Sequence, residues 1–184
     1  MADVQVQDPR PLAGEPLAID LLNTEWVASG GPVDLLATDG GVRAWLAENG
    51  LSAAPAPGTA QALITARQAI RDVLAARGDD ATSRDRLNRV LGHGCLRLTI
   101  GPRMNPEQAL EADDPAWLPA VMAAANLLEL LESAPDRIRR CQHPACVLWF
   151  FDTTRNGTRR WCSMAVCGNR AKATRHYDRV KNSR

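Results

Sequence analysis

The stretch CQHPACVLWFFDTTRNGTRRWCSMAVCGNR, residues 141–170, decides the fold of the C-terminal part of this 184-residue chain. It holds four of the five cysteines as two pairs, Cys141 with Cys146 and Cys162 with Cys167. Each pair encloses four residues, and fifteen residues separate the pairs. Two close pairs at such a separation are a common layout of a structural zinc site. The spacing therefore predicts one structural Zn²⁺ ion per chain, held by four thiolates.

Other interpretations of these cysteines stay open at the level of sequence. The four thiols could form two disulfides or be unconnected core residues, and His143 could replace one cysteine as a ligand. The first ten residues have neither the basic nor the apolar region of a signal peptide. We therefore expect a cytoplasmic protein with reduced thiols, where disulfides are rare. Cys95 stands apart and is expected to be a core thiol.

The spacer between the cysteine pairs predicts the architecture around the metal. Asn156-Gly157 is the strongest short hairpin signal, and it lies between strand-forming residues at 147–151 and 159–161. A helical pattern follows from about residue 163 to residue 181, with Cys167 in its first turns. A hairpin followed by a helix that carries the last ligand predicts a treble-clef-like zinc finger.

The charge of the chain is divided between two parts. Residues 1–136 carry 10 Lys and Arg against 19 Asp and Glu, whereas residues 137–184 carry 12 against 2. The basic part suits a polyanion, and we expect double-stranded DNA, with RNA as another option. The candidate contacts are Arg155, Arg159 and Arg160 near the hairpin turn, and Asn169, Lys172, Arg175, His176 and Arg179 on the helix. Alternatively, the basic surface is merely solvated, or it docks on the acidic part of the chain or on a protein partner.

Two polar residues at the start of the last helix have alternative roles. Asn169 could read a base or cap a local turn. Arg170 falls within the apolar stripe of the helix, so its stem could lie along the hairpin while its head bonds Asp152 or backbone carbonyls.

The N-terminal part reads as mostly helical with a small antiparallel sheet, which makes the whole chain α+β. Residues 1–14 are expected to form a flexible arm. A period-two pattern predicts a strand over residues 95–100, with a partner around residues 108–111. Helical spacing and Gly or Pro punctuation predict helices near residues 42–50, 59–76, 83–91 and 115–133.

A polar group near the start of this part could line a small-molecule pocket: Asp20, Asn23 and Thr24. The alternative is local side-chain to backbone hydrogen bonding, which these residue types favour. No phosphate-binding Gly-rich loop or paired-carboxylate site stands out, and the chain has only three histidines. We therefore expect no enzymatic activity. The longest apolar stretch is too short and too polar to span a membrane, so no membrane partner is expected.

The run WCSMAVCGNRAKATRHY, residues 161–177, resembles the CGNR zinc finger, which takes its name from the residues found here at 167–170. The run LAIDLLNT, residues 17–24, resembles the opening motif of the ABATE domain, which typically precedes that finger. The resemblance implies an ABATE-like sensor or dimerisation domain over residues 15–136 and the finger over residues 137–184.

Together the two domains imply a zinc-dependent, DNA-binding transcriptional regulator of a family often labelled stress-induced. A small-molecule effector and a homodimer are the further partners that such a protein would have. The alternative is a protein-interaction module with a purely structural zinc and no nucleic-acid binding.

Overall fold

The computed structural model describes residues 9–52 and 54–173. Within these ranges it has five α-helices: α1 (Leu17–Leu22), α2 (Asp39–Glu48), α3 (Thr59–Ala75), α4 (Ala81–Leu91) and α5 (Leu118–Ser133). A further helix begins with a π-helical turn, Met164–Gly168, and continues through residues 169–173; it is called the C-terminal helix below. No helix in the described ranges is long and apolar enough to cross a membrane.

Three separate two-stranded antiparallel sheets accompany the helices. They are β1 (Glu25–Ala28) with β2 (Gly31–Asp34), β3 (Gly94–Ile100) with β4 (Pro106–Ala112), and β5 (Ile138–Arg140) with β6 (Trp149–Phe151). The predicted α+β class, mostly helical with small antiparallel sheets, is confirmed.

Local chemistry sets the ends of the helices. The Thr38 hydroxyl caps α2 by accepting a hydrogen bond from the backbone N–H of Gly41 at 3.1 Å. The Asp80 carboxylate caps α4 through the N–H groups of Thr82 and Ser83. Such side chains satisfy the N–H groups that the first turn of a helix leaves without partners. Gly58 precedes α3 with φ +92°, a conformation that favours glycine.

Helix α1 lies at the centre of the core although it has only six residues. A helix this short is unstable alone, and burial stabilises it: Ala18, Ile19, Leu21 and Leu22 are all at most 1% exposed. It contacts α3, α5 and β6. The apolar face of α3 packs beside it, since the residues of that face recur every three or four positions and are buried: Ala62, Leu63, Ala66, Ile70 and Val73.

The hairpin of the finger differs from the predicted one. Strand β6 pairs with β5, with Arg139 opposite Phe150, and so encloses the first cysteine pair. Residues 159–161 form no strand. Gly157 does form a turn with φ +60°, and its N–H bonds the Thr154 carbonyl at 3.2 Å. That turn lies in a loop rather than between paired strands.

The Asp152 carboxylate explains this difference. It accepts hydrogen bonds from the Thr154 N–H at 3.0 Å, the Thr154 hydroxyl at 2.6 Å and the Arg159 N–H at 2.9 Å. The Arg137 guanidinium donates to the carbonyls of Asp152 and Thr154 from the other side. Side chains thus satisfy the backbone of this loop, and the Asp152 N–H bonds the Arg137 carbonyl, which continues the β5–β6 ladder.

The predicted flexible arm is only partly what the structure shows. Residues 1–8 lie outside the described residues. Arg10 is 7% exposed, and its guanidinium donates to Asp20 at 2.5 Å and to Glu48 at 2.8 Å. Because a buried charge needs a paired partner, this ion pair fixes residues 9–14 to the helical domain. Residues 9–14 are thus anchored, whereas a flexible arm was expected there.

One hydrophobic core runs through both domains. Leu148, Trp149 and Phe150 of the finger belong to the same buried cluster as α1 and α3. The Asn23 side chain, at the end of α1, bonds both backbone groups of Trp149, donating to the carbonyl at 3.0 Å and accepting from the N–H at 2.9 Å. Because Asn23 is fully buried, these two bonds hold β6 in register against α1.

Replacing Asn23 with Ala should therefore weaken the whole chain. Two buried backbone groups lose their partners, and we expect a loss of about 2–4 kcal/mol in the free energy of unfolding. Urea unfolding followed by tryptophan fluorescence measures this loss. Asn88→Ala, at an exposed position on α4, is the matched control and should change stability by about 0.5 kcal/mol or less. Equal midpoints for the two variants would contradict the assigned role of Asn23.

Candidate metal centre and nucleic-acid interface

The side chains of the four cysteines converge from β5, from a turn after it and from the start of the C-terminal helix. Cys141 directly follows β5, and Cys146 closes a turn in which its N–H bonds the His143 carbonyl at 2.9 Å. Cys162 precedes the C-terminal helix, and Cys167 lies in its π-helical first turn, where the Gly168 N–H bonds the Ser163 carbonyl at 3.0 Å. π-Helical turns are frequent at functional sites, and here the turn carries a predicted ligand.

The sulfur positions fit a tetrahedral metal site. All four Sγ atoms lie within 4.8 Å of one another. Cys162 Sγ is 3.7 Å from Cys146 Sγ and 3.6 Å from Cys167 Sγ. A tetrahedron with Zn–S bonds of about 2.3 Å has an edge of roughly 3.8 Å. The described residues therefore offer a closed four-sulfur site, and the separate disulfide interpretation is not what the geometry shows.

His143 plays a different part from the ligand role left open by the sequence. Its Nδ1 accepts a hydrogen bond from the Ala145 N–H at 3.3 Å, within the turn that places Cys146. The metal-binding cluster among the described residues is made of the four cysteines. Cys95 corrects a second expectation, since it is exposed on β3 rather than buried in the core.

The thiols influence each other strongly because they are so close. Hydrogen bonding from Cys162 lowers the pKa of Cys146 to about 5. The same contact, with burial, raises the pKa of Cys162 far above its ordinary value, and burial raises that of Cys167 to about 12. One thiolate is thus stabilised at the expense of its neighbours. A divalent cation supplies the positive charge that four thiolates need together.

Arg159 supports the metal site from inside the finger. Its guanidinium donates to the carbonyl of Trp161 at 3.0 Å and to that of Cys162. It also lies 4.3 Å from the Phe150 ring centroid and 3.5 Å from the Glu15 carboxylate. Arg159 therefore has a structural role, and its contact with DNA stays a prediction. Its donors are used in orienting a metal ligand and in joining the finger to the helical domain.

The remaining predicted basic contacts that the structure describes lie on the surface. Arg155, Arg160 and Lys172 are exposed. Arg160 donates to Gln142 at 2.6 Å and lies over the Trp161 ring, whereas no side-chain bond or ion pair holds Arg155 or Lys172 within the described part of the chain. Three more predicted contacts lie outside the described residues: Arg175, His176 and Arg179.

Asn169 and Arg170 are exposed at the start of the C-terminal helix. The Asn169 amide donates to the Ala165 carbonyl at 3.1 Å, which is the local capping role that the sequence allowed. Arg170 lines a groove of about 410 Å³ beside the metal site. The Asp152 oxygens, the expected partner of Arg170, accept from Thr154 and Arg159 instead.

The predicted ligand pocket around Asp20, Asn23 and Thr24 differs from what the structure shows. All three residues are 0% exposed. Asp20 accepts hydrogen bonds from Arg10 and from the indole of Trp45 at 2.8 Å. The hydroxyl of Thr24 donates to the Leu21 carbonyl, and Asn23 binds Trp149. These polar atoms are satisfied inside the chain, so the residues organise the fold around α1.

Sequence reasoning missed the structural roles of the side chains that hold the finger and its metal ligands in place. Asn23, Arg137 and Asp152 act across loops or between domains, and only Asp152 carried a local signal. An Asp followed two residues later by Thr154 is the pattern of an Asx turn. The contacts of Asn23 and Arg137 depend on the tertiary structure, and no spacing in the sequence indicates them.

The fold and the site together define a helical domain fused to a four-cysteine finger. Residues 137–180 match the CGNR zinc finger family. Residues 15–134 match the ABATE family, described as "Putative stress-induced transcription regulator". Since that match covers well over half of the chain, the protein belongs to the ABATE family and carries a CGNR zinc finger after the ABATE domain. No curated protein matched the chain.

Replacing Cys162 with Ser tests the metal centre. One soft ligand is lost, and metal binding in such sites contributes directly to folding. We expect the bound metal to fall from one ion per chain towards none. Because the finger shares the core of the helical domain, stability should fall by about 3 kcal/mol or more, which lowers Tm by roughly 6–12 °C.

Elemental analysis and thermal denaturation measure the two effects. Cys95→Ser is the matched control, since Cys95 is exposed and far along the chain from the cluster; it should keep one ion and an unchanged Tm. Full metal content in Cys162→Ser would show that the ion is held elsewhere.

Proposed function

We propose that the protein is a zinc-dependent, DNA-binding transcriptional regulator in which the finger contacts the DNA and the ABATE domain supports it. The observation that carries this proposal is how the finger uses its arginines. Arg137, Arg139 and Arg159 bind backbone carbonyls within the finger. Arg155 and Lys172 remain exposed and without such bonds within the described residues. Exposed cations of this kind neutralise phosphates.

Within the described residues, one ion pair joins the acidic part of the chain to a cation of the finger. Glu15 lies 3.5 Å from Arg159, and its carboxylate accepts the Phe151 N–H at 2.8 Å. Burial raises the pKa of Glu15, as expected for a carboxylate enclosed between two domains. Among the described residues, Arg159 is thus a finger cation that docks on the acidic part. The exposed cations Arg155, Arg160 and Lys172 are left for an external polyanion, and this favours DNA over self-docking.

We infer that the metal is zinc. Four thiolates in a closed tetrahedral arrangement suit Zn²⁺, which has no redox chemistry of its own here and no open position for a substrate. Cys141, Cys146, Cys162 and Cys167 would hold the ion, and its role would be structural, because these ligands come from both the β5–β6 hairpin and the C-terminal helix. Neither family description names an enzyme, and we propose that the protein has no enzymatic activity. Reduced thiolates and a DNA partner favour a cytoplasmic location.

The β3–β4 hairpin gives the proposed regulator a surface for dimerisation. One face carries Leu96, Leu98 and Ile100, which are 59–71% exposed. The opposite face is polar, with Arg97 bonded to Glu111 at 2.5 Å. A two-stranded hairpin is only marginally stable alone. A second copy packed on the apolar face would bury it by two-fold symmetry and would present two fingers to one duplex.

DNA binding should depend on the exposed cations and not on basic residues elsewhere. We expect the double variant Arg155→Ala/Lys172→Ala to bind mixed-sequence duplex DNA more weakly at low salt. The slope of log K against log salt should become shallower by roughly 2, because each lost phosphate contact releases about 0.9 fewer counterions. Fluorescence anisotropy over a salt series measures both.

The matched control is Arg43→Ala/Arg89→Ala, which removes two exposed arginines from the helical domain. It should leave the slope unchanged. Metal content is checked for each preparation, so that loss of the ion is not mistaken for loss of contacts. Equal effects in the two double variants would contradict the assignment of this face and favour a protein-interaction module.

The dimer is tested by a charge on the apolar face of the hairpin. Leu98→Lys should shift the sedimentation equilibrium towards monomer, since a dimer would have to bury two charges at its centre. Thr99→Lys is the matched control: it lies on the polar face, opposite Glu107, and should sediment as the wild type does. A wild-type protein that stays monomeric at high micromolar concentration would remove the dimer from the proposal.

A further inference from the structure

A cleft of about 630 Å³ lies between the two domains, next to the groove beside the metal site, with which it shares Trp26, Val27 and Val147. The β1–β2 hairpin and α3 form one wall, and residues of β5 and β6 form the other. Its volume falls in the range of small-molecule sites, roughly 300–1,000 Å³.

The walls of the cleft are apolar and open to solvent. Trp26 and Trp149 form its indole surfaces and are only 8% and 9% exposed. Val27, Val33 and Val147 also line it, and these three apolar side chains are exposed, at 50%, 37% and 37%. Apolar side chains from two domains that converge on a concave surface mark a binding site more often than a solvated surface.

The charged residues of the cleft leave one positive charge without a partner. Glu25 pairs with Arg67 at 3.0 Å and with Arg71 at 2.5 Å. Asp34 pairs with Arg67 at 2.7 Å. Burial raises the pKa of Asp34, but the hydrogen bond and charge of Arg67, together with the charge of Arg71, keep that pKa below its ordinary value. The two carboxylates and the two guanidiniums therefore balance each other.

Arg140 is the remaining cation. It lies on β5 directly opposite Trp149, so both side chains project from the same face of the sheet towards the cleft. Its guanidinium is exposed, and within the described residues it makes no hydrogen bond or ion pair. A free guanidinium matches a carboxylate in a bidentate geometry.

We propose that this cleft binds a small apolar carboxylate, with its apolar body between Trp26 and Trp149 and its carboxylate on Arg140. A single negative charge fits because Arg140 is the one unpaired cation among the described residues that line the cleft, and because Glu25 and Asp34 line it too. A phosphate dianion or a polyanion would be repelled by those two carboxylates. The site thus differs in its chemistry from the proposed DNA-binding surface. Ligand binding to the cleft can therefore be tested without DNA.

Binding would act on both domains at once. Val147 is adjacent to the metal ligand Cys146 in the chain. Trp26 lies three residues after Asn23, whose side chain bonds the backbone of Trp149. A ligand between them contacts the two sides of the domain junction and stabilises the state in which both walls are in place. This is the arrangement that a ligand would need in order to influence the finger from the ABATE domain.

The test uses the full-length, metal-loaded protein without DNA. Anilinonaphthalene sulfonate, a fluorescent apolar anion, is titrated first, and octanoate and octanol are then compared as competitors. We expect binding of one probe per chain, displacement by octanoate, and displacement by octanol that needs an about tenfold higher concentration. Loss of a charge-assisted hydrogen bond of about 1.4 kcal/mol corresponds to that factor.

Two variants locate the binding site. Arg140→Gln should weaken octanoate binding about tenfold and leave octanol unaffected, whereas Arg155→Gln, an exposed arginine of the finger outside the cleft, should bind as the wild type does. Val33→Trp, which fills the cleft beside Trp26, should weaken both competitors. Equal competition by octanoate and octanol, or an Arg140→Gln variant that binds octanoate normally, would overturn the proposal. So would the absence of probe binding, which would mean that another segment or a second copy covers the cleft.

Discussion

The hydrogen bonds between the Asn23 side chain and the backbone of Trp149 are the constraint on which the rest of the structure depends. They join the end of α1, the most buried helix, to β6 of the finger. Leu148 and Phe150 on either side of Trp149 complete the shared core. The finger therefore shares one core with the helical domain and packs against it in a defined position. Its exposed cations are held in a fixed orientation relative to the acidic domain.

The same constraint explains how the positive charge of the finger is divided. A small module that packs one face against another domain has to satisfy its own loop backbone, and Arg137 and Arg159 do so by binding carbonyls. Asp152 completes the loop from the inside; burial opposes its ionisation, but hydrogen bonds from Thr154 and Arg159 outweigh burial and lower its pKa. The net charge of the sequence does not distinguish buried from exposed arginines. Only the exposed ones are available to an anionic partner.

The sequence predicted the parts of the fold that depend on local chemistry. The metal ligands were identifiable because two close pairs of cysteines are a common layout of a structural zinc site. The helical spacing of α3 and the capping of α4 are likewise local, and those helices begin and end near their predicted residues. The α+β class follows from these elements.

The rest could not be predicted because it depends on contacts between distant residues. Strand β5 has only three residues, too few to show the period-two pattern of a strand. The sequence therefore predicts residues 159–161 as the partner of β6, whereas the partner is β5. Asn23 contacts a residue 126 positions away. Arg159 lies beside the Asn156-Gly157 turn, as surface residues often do, yet its guanidinium is directed inward by Phe150 and Glu15.

The measurement that tests the central claim most directly is the affinity of the metal-loaded wild-type protein for mixed-sequence duplex DNA as a function of salt concentration. We expect binding at low salt, a linear decrease of log K with log salt, and loss of binding when a chelator removes the metal. Failure of the metal-loaded protein to bind duplex DNA at low salt would contradict it, and the finger would then be a protein-interaction module held together by its metal.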